Sequence, residues 1–454
     1  MKDHFIPTEI ESLYTKIPAE SVHEILSQKM LVDGFDLVLD LVNSKGLTIV
    51  DKRSGDKYLD FFSFFASSPI GMNHQKISNK EFREKIGFAA QFKPSNSDVY
   101  TALMAEFVDT FNRIAVPDEF KHLFFIAGGS LAVENALKVA FDWKIKKNFQ
   151  KGYKEEKGTK IIHFKEAFHG RSGYTLSLTN TDPNKVAFFP KFNWPRISNP
   201  KVIFPLEKNL ELVIESEIQA ITEIQSAINN NKDDIAAIII EPVQGEGGDN
   251  FFRKEFFERL RKISDDNEVL LIFDEVQTGL GLTGKTWAYQ HFVQPDIIAF
   301  GKKMQVCGIM STGRIDDIPD NCFKKSGRIN STWGGNLVDM VRSQKYLEII
   351  ADENLVENAS DVGEYLLARL HELEIEFPQF VTQSRGLGLM CAFNLPDNET
   401  RNQFIKNCYK NKLLILGCGQ NSVRFRPPLD VRKENIDQAL QIIRNVLFSL
   451  VIKN

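Results

Sequence analysis

Five short apolar segments, separated by longer stretches with helical spacing, constrain this chain's fold more than any other feature. They lie between Lys121 and Gly301 and read HLFFI, KIIHF, IAAIII, VLLIF and DIIAF. Runs of β-branched and aromatic residues without polar alternation are typical of strands that are buried on both faces. Because these runs alternate with helical patterns such as LAVENALKVAFDWKIK, the sequence predicts an α/β fold with a mainly parallel central sheet in a large domain.

Different patterns precede and follow this region. Residues 20–31 have the spacing of an amphipathic helix, and the following GLTIVDKRSGDKYLDFFS alternates around a Ser-Gly turn as a β-hairpin does. The C-terminal part combines helices with the short strands LGLMCAFNL and NSVRFRPPL and ends in a helix near 433–450, which indicates a smaller α+β domain. We therefore predict an N-terminal segment (1–75) that packs with the small domain, a large domain (76–341) and the small domain itself (342–454).

Composition excludes several classes of protein. The 454 residues are 43% hydrophobic and 26% charged, with a net charge of -4, so neither nucleic acid nor an anionic membrane is expected as a partner. No segment reaches the ~18–20 apolar residues needed to span a bilayer. The five cysteines are scattered and lack CxxC spacing. We expect free thiols, no metal site and a cytoplasmic protein.

Residues that can bind a ligand or react with it follow the ends of the predicted strands, where open parallel sheets bind ligands. The AGGS turn at 127–130 precedes a helix and suits a phosphate, although such a sequence can be only a turn. Asp274 and Glu275 follow VLLIF, where a carboxylate can also be a helix cap. Lys302 and Lys303 follow DIIAFG.

An aromatic residue completes the set. Phe168, His169 and Arg171 occupy the loop after KIIHF, although the ordinary roles of such residues are core packing and surface charge. A phosphate site, a carboxylate, an aromatic plate and a lysine at one sheet edge are what pyridoxal 5′-phosphate requires: an anchor, a partner for the pyridine nitrogen, a stacking surface and a Schiff-base amine.

Longer motifs make the chain recognisable. The segments EPVQGEGG, LLIFDEVQTGLGLTG, PDIIAFGKK and NSTWGGN resemble the class III (ω-amino-acid) aminotransferases of fold type I. Within that class, LVDGFDLVLDL, KPSNSDVY, AFHGRSGYTLSLTNT, KFNWPRI, FGKKMQVCG and VRFRPPL are similar to the members that act on lysine, and they extend from about residue 20 to 430. The resemblance implies transfer of the ε-amino group of L-lysine to 2-oxoglutarate.

The resemblance also implies roles in cofactor binding. The family's Schiff-base lysine matches Lys302, which leaves Lys303 a structural role, and the carboxylate that pairs with the pyridine nitrogen matches Asp274. Val276 and Phe168 match the residues on either side of the ring.

Three further matches concern the cofactor's oxygens. Gln277 would reach the phenolic oxygen, and Gly129 and Ser130 would bind the phosphate. Thr332 would contact the phosphate from a second subunit, so the resemblance implies a homodimer with its active sites at the subunit interface.

For the substrates, Arg171 matches the arginine that holds the distal carboxylate, and Arg424 matches the one that takes the α-carboxylate of the keto acid. Glu246 matches a glutamate that pairs with Arg424 and moves away for the keto acid. Arg426 is expected to be a structural neighbour. Phe65 is bulkier than expected beside the substrate, so it is a candidate for altering chain-length preference.

Three alternatives remain open from the sequence. Another ω-aminotransferase would act on ornithine, acetylornithine or 4-aminobutyrate. A nucleotide-binding oxidoreductase would use the AGGS turn, although the turn matches neither GxGxxG nor GxxxxGK[ST]. A non-catalytic binding protein would have no need for the lysine, the aspartate and both arginines.

Overall fold

A seven-stranded sheet built from the five apolar segments and two further strands forms the centre of the fold, in a computed structural model that describes residues 15–452. The strands are β1 Thr48–Val50, β2 Lys57–Asp60, β3 Phe120–Ile126, β4 Lys160–Phe164, β5 Arg196–Ile197, β6 Ile235–Ile240, β7 Leu270–Asp274, β8 Ile297–Phe300, β9 Cys307–Thr312, β10 Thr382–Leu387, β11 Met390–Asn394, β12 Leu413–Leu414, β13 Leu416–Cys418 and β14 Ser422–Phe425.

The order of strands in the large sheet is β3-β9-β8-β7-β6-β4-β5. The pairs from β8 to β5 are all parallel, whereas β9 is antiparallel to both of its neighbours. Every residue of β6, β7 and β8 is buried, which explains why these strands lack polar alternation. The predicted α/β fold with a mainly parallel sheet is confirmed.

Helices cover this sheet and form most of the C-terminal part. They are α1 Val22–Ser27, α2 Lys80–Ala90, α3 Ala102–Ala115, α4 Gly129–Gln150, α5 Thr175–Leu178, α6 Leu206–Asn230, α7 Lys254–Asp266, α8 Leu337–Asp352, α9 Leu355–Glu376, α10 Asn398–Lys410 and α11 Lys433–Val451. The helix predicted for 20–31 is shorter than expected. Ile25, Leu26, Met30 and Leu31 are exposed, so this segment lacks the packing that would extend its helix.

Two small sheets accompany the large one. β1 and β2 form the predicted hairpin, and β12 adds to β2 in parallel, with Leu413 opposite Leu59. The other sheet has the order β10-β11-β14-β13 and is antiparallel. The N-terminal hairpin is therefore joined to the C-terminal part by backbone hydrogen bonds. The division at 75 and 341 stays a prediction: the second boundary falls inside α8, and residues 1–14 and 453–454 lie outside the described residues.

A left-handed turn follows β2. Ser63, Phe64, Phe65 and Ala66 have φ values of 38°, 53°, 58° and 64°, although none of them is glycine. The backbone N–H of Ser63 donates to Asp60 Oδ1 at 2.8 Å, the Ser63 hydroxyl donates to the carbonyl of Arg426 at 2.6 Å, and Lys303 Nζ donates to the carbonyl of Ala66 at 3.0 Å. Tertiary contacts thus hold a conformation that local preference opposes.

Three observations concern the expected absences. No helix within residues 15–452 has both the length and the apolar character needed to cross a membrane. The same residues contain no cluster of three or more histidine, cysteine or acidic side chains arranged to hold a metal ion. All five cysteines are free thiols, as predicted.

Candidate active site

The carboxyl ends of β3, β7 and β8 bring three of the predicted residues to one edge of the large sheet. β7 and β8 are parallel, and β3 runs the same way because both β3 and β8 are antiparallel to β9. Asp274 is the last residue of β7, Lys302 begins a 3₁₀ turn directly after β8 and Gly301, and Gly129 begins α4 just after β3. The site therefore lies where parallel sheets place their ligands.

The two adjacent lysines have separate environments. Lys302 is half-buried, and burial together with the charges of Arg424 and Arg426 lowers its pKa to about 8. Lys303 is buried, and its ammonium group donates to the left-handed turn described above. Burial, with the charges of Arg426 and Lys302, lowers the pKa of Lys303 to about 7. Of the two side-chain amines, only that of Lys302 makes no hydrogen bond within residues 15–452, which suits an amine that reacts.

Asp274 is held by two donors. Its Oδ1 accepts from the backbone N–H of Val276 at 3.1 Å, and its Oδ2 lies 2.8 Å from His169 Nδ1. His169 is buried, and its Nε2 has no hydrogen-bond partner among residues 15–452. Behind them Glu241 is fully buried and accepts from the backbone N–H of Phe168 at 2.9 Å, and burial raises its pKa to about 7. The carboxylate of Asp274 is thereby oriented, with lone pairs left for a further donor.

The start of α4 forms an anion cradle. Gly129 and Ser130 are its first residues, so their backbone N–H groups have no partner within the helix. The Ser130 hydroxyl lies 2.7 Å from the hydroxyls of both Ser172 and Thr175, and it accepts from the backbone N–H of Arg171 at 3.1 Å. Hydroxyls and N–H groups from two segments thus converge, as phosphate binding requires.

Val276 packs tightly against the cradle. A Cβ placed on Gly129 would lie 2.9 Å from Val276 Cγ1, and one placed on Gly301 would lie 3.4 Å from the same atom. Glycine at position 129 therefore lets the β3–α4 turn approach Val276. Phe168, the other predicted plate, is half-buried in the loop after β4.

Gln277 is oriented by Arg426. Its Oε1 accepts from Arg426 Nε at 3.1 Å and from Arg426 Nη2 at 3.0 Å. Because a guanidinium only donates, the amide oxygen must face Arg426, which leaves the amide NH₂ as a donor for another group. Arg426 also pairs with Asp249, and both side chains are fully buried. These contacts agree with the structural role expected for Arg426.

The predicted pair of Glu246 and Arg424 is formed. Arg424 Nη2 lies 2.9 Å from Glu246 Oε2, and the Arg424 side chain is only 4% exposed. Burial alone would raise the pKa of Glu246, but the charges of Arg424 and Lys185 outweigh it and lower that pKa to about 2. Phe65 is also close, since the Arg424 guanidinium lies 6.0 Å from the centre of its ring.

Two predicted residues lie at the surface. The Arg171 side chain is exposed, and within residues 15–452 its guanidinium has no ion-pair partner. Thr332 is also exposed, in the loop before α8. No hydrogen bond joins Thr332 to the other predicted residues within the part of the chain that the structure describes.

Two residues of the site had no assigned role from the sequence. His169 stood in a motif already singled out, and its contact with Asp274 could have been suspected from that position. The sequence around Lys185 did not indicate a functional role, because PNK is a common turn sequence of surface loops. The Nζ of Lys185 nevertheless lies 2.6 Å from Glu246 Oε1, across 61 positions of sequence.

The arrangement fits pyridoxal 5′-phosphate. A lysine with a lowered pKa, a carboxylate fixed by two donors, a cradle at the start of a helix and a free amide NH₂ are each placed beside the same edge of the sheet. Lys302 would hold the cofactor's aldehyde carbon, Asp274 its ring nitrogen and the α4 cradle its phosphate.

Comparison with known proteins shows the family of this chain. The family model for class-III aminotransferases matches residues 32–447. The chain is 50% identical over 430 residues to an L-lysine-epsilon aminotransferase of Mycobacterium tuberculosis, covering 94% of this chain and 95% of that protein. It is 46% identical over 428 residues to an L-lysine-epsilon aminotransferase of Streptomyces clavuligerus, covering 94% and 93%.

Structural comparison gives a similar result. The solved lysine aminotransferase of M. tuberculosis in its internal aldimine form superposes with a TM-score of 0.93 at 50% identity, covering 95% of this chain and 99% of that one. These matches extend over nearly the whole chain and include every element of the site. The chain therefore belongs to the class-III aminotransferases, and its cofactor is pyridoxal 5′-phosphate.

Proposed function

We propose that this enzyme transfers the ε-amino group of L-lysine to 2-oxoglutarate in two half-reactions that use the same site in turn. The products are L-glutamate and 2-aminoadipate 6-semialdehyde, which cyclises to piperideine-6-carboxylate. The observation that carries the proposal is the pair of Arg424 and Glu246 beside Lys302, because it lets one site accept substrates that differ in charge near the reacting carbon. The 46–50% identity to L-lysine-epsilon aminotransferases supports lysine as the donor.

Lys302 is assigned two tasks. It would hold the cofactor at rest, and its amine would carry a proton to or from the reacting carbon of the substrate. A proton carrier of this kind must be neutral for part of the time, and a pKa lowered to about 8 provides a neutral fraction near physiological pH. When bound, pyridoxal 5′-phosphate supplies an electron-withdrawing ring that stabilises negative charge on the reacting carbon.

Asp274 would keep a proton on the cofactor's ring nitrogen, and His169 holds the carboxylate in position for it. The amide NH₂ of Gln277 would donate to the phenolic oxygen, because Arg426 already occupies the amide oxygen. Val276 and Phe168 would enclose the ring, and Gly129 and Ser130 would bind the phosphate through the α4 cradle.

The two arginines divide substrate recognition. L-Lysine reacts at its ε-amine, so its carboxylate lies far from the reacting carbon, where the exposed Arg171 can bind it. During this half-reaction Glu246 neutralises Arg424, which would otherwise be an unpaired buried cation at a cost of about 3–5 kcal/mol. 2-Oxoglutarate carries a carboxylate next to its reacting carbon, and this carboxylate takes the place of Glu246 on Arg424.

The assembly is proposed to be a homodimer in which Thr332 of each chain completes the phosphate site of the other. The surface around Thr332 supports this. Lys93 Nζ lies 3.6 Å from the centre of the Trp333 ring and the Ser97 hydroxyl donates to the carbonyl of Ser331, so residues 92–100 lie beside the loop that contains Thr332. The exposed side chains of these two segments include Phe92, Val99, Tyr100 and Trp333. An apolar surface of this kind is typical of a protein interface. Five free thiols are consistent with a reducing compartment, so we place the enzyme in the cytoplasm.

Another ω-aminotransferase remains the second candidate. Ornithine, acetylornithine and 4-aminobutyrate would use the same cofactor residues and the same switch at Arg424. They differ from lysine in the length and charge of the part that reaches Arg171, and Phe65, close to Arg424, is the residue expected to set chain-length preference.

The donor is tested directly with purified enzyme. With L-lysine and 2-oxoglutarate we expect formation of glutamate together with piperideine-6-carboxylate, detected as the cyclised product. Ornithine, acetylornithine and 4-aminobutyrate serve as competing donors at equal concentration. A higher kcat/KM for any of these than for L-lysine would assign the enzyme to the second candidate.

Lys302→Ala and Lys303→Met separate the two lysines. Removing the amine of Lys302 should abolish the visible absorbance of the lysine-bound cofactor and its covalent fixation by borohydride. Lys303→Met should retain both, because that amine is engaged by the carbonyl of Ala66. Retention of covalent attachment in Lys302→Ala would rule out its assigned role.

Glu246→Ala tests the switch. Without Glu246, Arg424 is unpaired when lysine is bound but paired when the keto acid is bound. We expect the lysine half-reaction to slow at least tenfold more than the glutamate half-reaction, measured separately by stopped-flow absorbance. An equal loss in both half-reactions would contradict a switching role.

Thr332→Val tests the shared site. Loss of the hydroxyl should weaken cofactor binding about tenfold, since hydrogen bonds to a phosphate are charge-assisted. Co-expression with inactive Lys302→Ala chains should restore tight binding in hybrid dimers, because one site then has both residues. Chains carrying both substitutions are the matched control and should restore nothing. Failure of the Lys302→Ala chains to complement would exclude the shared site.

A further inference from the structure

Lys185 occupies a position in the site that the proposed reaction does not yet use. It ends the 3₁₀ turn Pro183–Lys185, which is capped by Asp182 through a 2.9 Å hydrogen bond from the backbone N–H of Asn184. From this turn its Nζ reaches Glu246 Oε1 at 2.6 Å and lies 5.5 Å from the centre of the Phe168 ring. Lys185 is thus anchored close to both Glu246 and Phe168.

The two oxygens of Glu246 belong to different cations. Oε1 is held by Lys185, and Oε2 is held by Arg424 at 2.9 Å. The exposures differ: Arg424 is 4% exposed, whereas Lys185 is 25% and Glu246 is 26% exposed. A substrate carboxylate that binds Arg424 must displace Oε2, but it has no need to displace Oε1.

Glu246 has space into which it can move. Glu246 and Lys185 both line a cleft of about 1160 Å³, with Gly419 and Asn421 among the residues that line it with them. A rotation of the carboxylate into this cleft would separate it from Arg424. The contact with Lys185 can persist during that movement, because Lys185 lines the same cleft.

We propose that Lys185 is a positioning residue that stays paired with Glu246 in both states of the switch and so selects for a carboxylate-bearing acceptor at Arg424. In the closed state, in which Glu246 pairs with Arg424, the glutamate has two cationic partners. In the open state, in which a substrate carboxylate occupies Arg424, Glu246 has Lys185 alone. Loss of Lys185 therefore harms the open state more than the closed state. The inference rests on the proposed function, since it concerns the same switch.

The test uses Lys185→Met, which keeps most of the length of the side chain but removes its charge. Enzyme loaded with pyridoxamine 5′-phosphate is titrated with 2-oxoglutarate, so that no amino donor is needed. We expect the concentration of 2-oxoglutarate that gives half of the maximal single-turnover rate to rise about tenfold. The rate of the L-lysine half-reaction should change less than about twofold. Lys185→Arg should restore most of the binding.

A readout other than turnover is the binding of glutarate, a dicarboxylate that cannot react, measured by calorimetry. Lys185→Met should weaken glutarate binding about tenfold as well. In a Glu246→Gln background the same substitution should have no effect, since the charge that Lys185 compensates is gone. Lys191→Met is the matched control: Lys191 is in the same segment and donates to the carbonyls of Val186 and Phe189, both at 2.7 Å.

The outcomes separate the two proposals. If wild-type enzyme reacts with 2-oxoglutarate and Lys185→Met binds it equally well, or if both half-reactions weaken to the same extent, the role of Lys185 is overturned while the proposed function stands. If wild-type enzyme does not react with 2-oxoglutarate, both are overturned. A preference for another amino donor would overturn only the donor assignment.

Discussion

The buried ion pair between Arg426 and Asp249 holds together the parts of the chain that form the site. Asp249 lies in the loop after β6, and Arg426 directly follows β14 in the C-terminal part; their side chains are 0% and 1% exposed. Removing one partner of a buried pair typically costs about 3–5 kcal/mol, so the two parts have little freedom to separate here. Arg424 and Arg426 are two positions apart on an extended segment and face the same way. The contact that fixes Arg426 therefore also directs Arg424 toward Glu246.

The same two cations act on more than one group of the site. Arg424 and Arg426 attract carboxylates and amide oxygens, and their charges also contribute to the lowered pKa of Lys302. Glu246 and Asp249 compensate these cations without pairing with Lys302 itself. Because of this division, Lys302 has an amine that can lose its proton, although carboxylates lie nearby. The ion pairs of the two arginines and the lowered pKa of Lys302 are therefore consequences of a single arrangement of charge.

The sequence predicted much of the fold because uninterrupted apolar runs have few alternatives to buried strands, and all five became strands of the large sheet. It did not predict β9, whose CGIMST sequence adjoins the lysine motif and mixes glycine, serine and threonine with few apolar residues. Nor could it predict strand order, which depends on contacts between distant segments. At the site, motifs identified Lys302, Asp274 and the pair of Glu246 with Arg424. Lys185 was missed because a lysine in a turn has no periodicity, and only the fold brings it to Glu246.

The left-handed turn at 63–66 could not be predicted from the sequence either, since its residues are those of an ordinary strand or helix. Each L-residue in that conformation costs about 1–2 kcal/mol, so the turn has no stability of its own. It is held by Asp60 from the N-terminal hairpin, by Lys303 from the large sheet and by the carbonyl of Arg426 from the C-terminal part. The position of Phe65 beside Arg424 is therefore set only after three distant regions have met. A chain in which one of these regions is not yet folded would therefore lack the contact between Phe65 and Arg424.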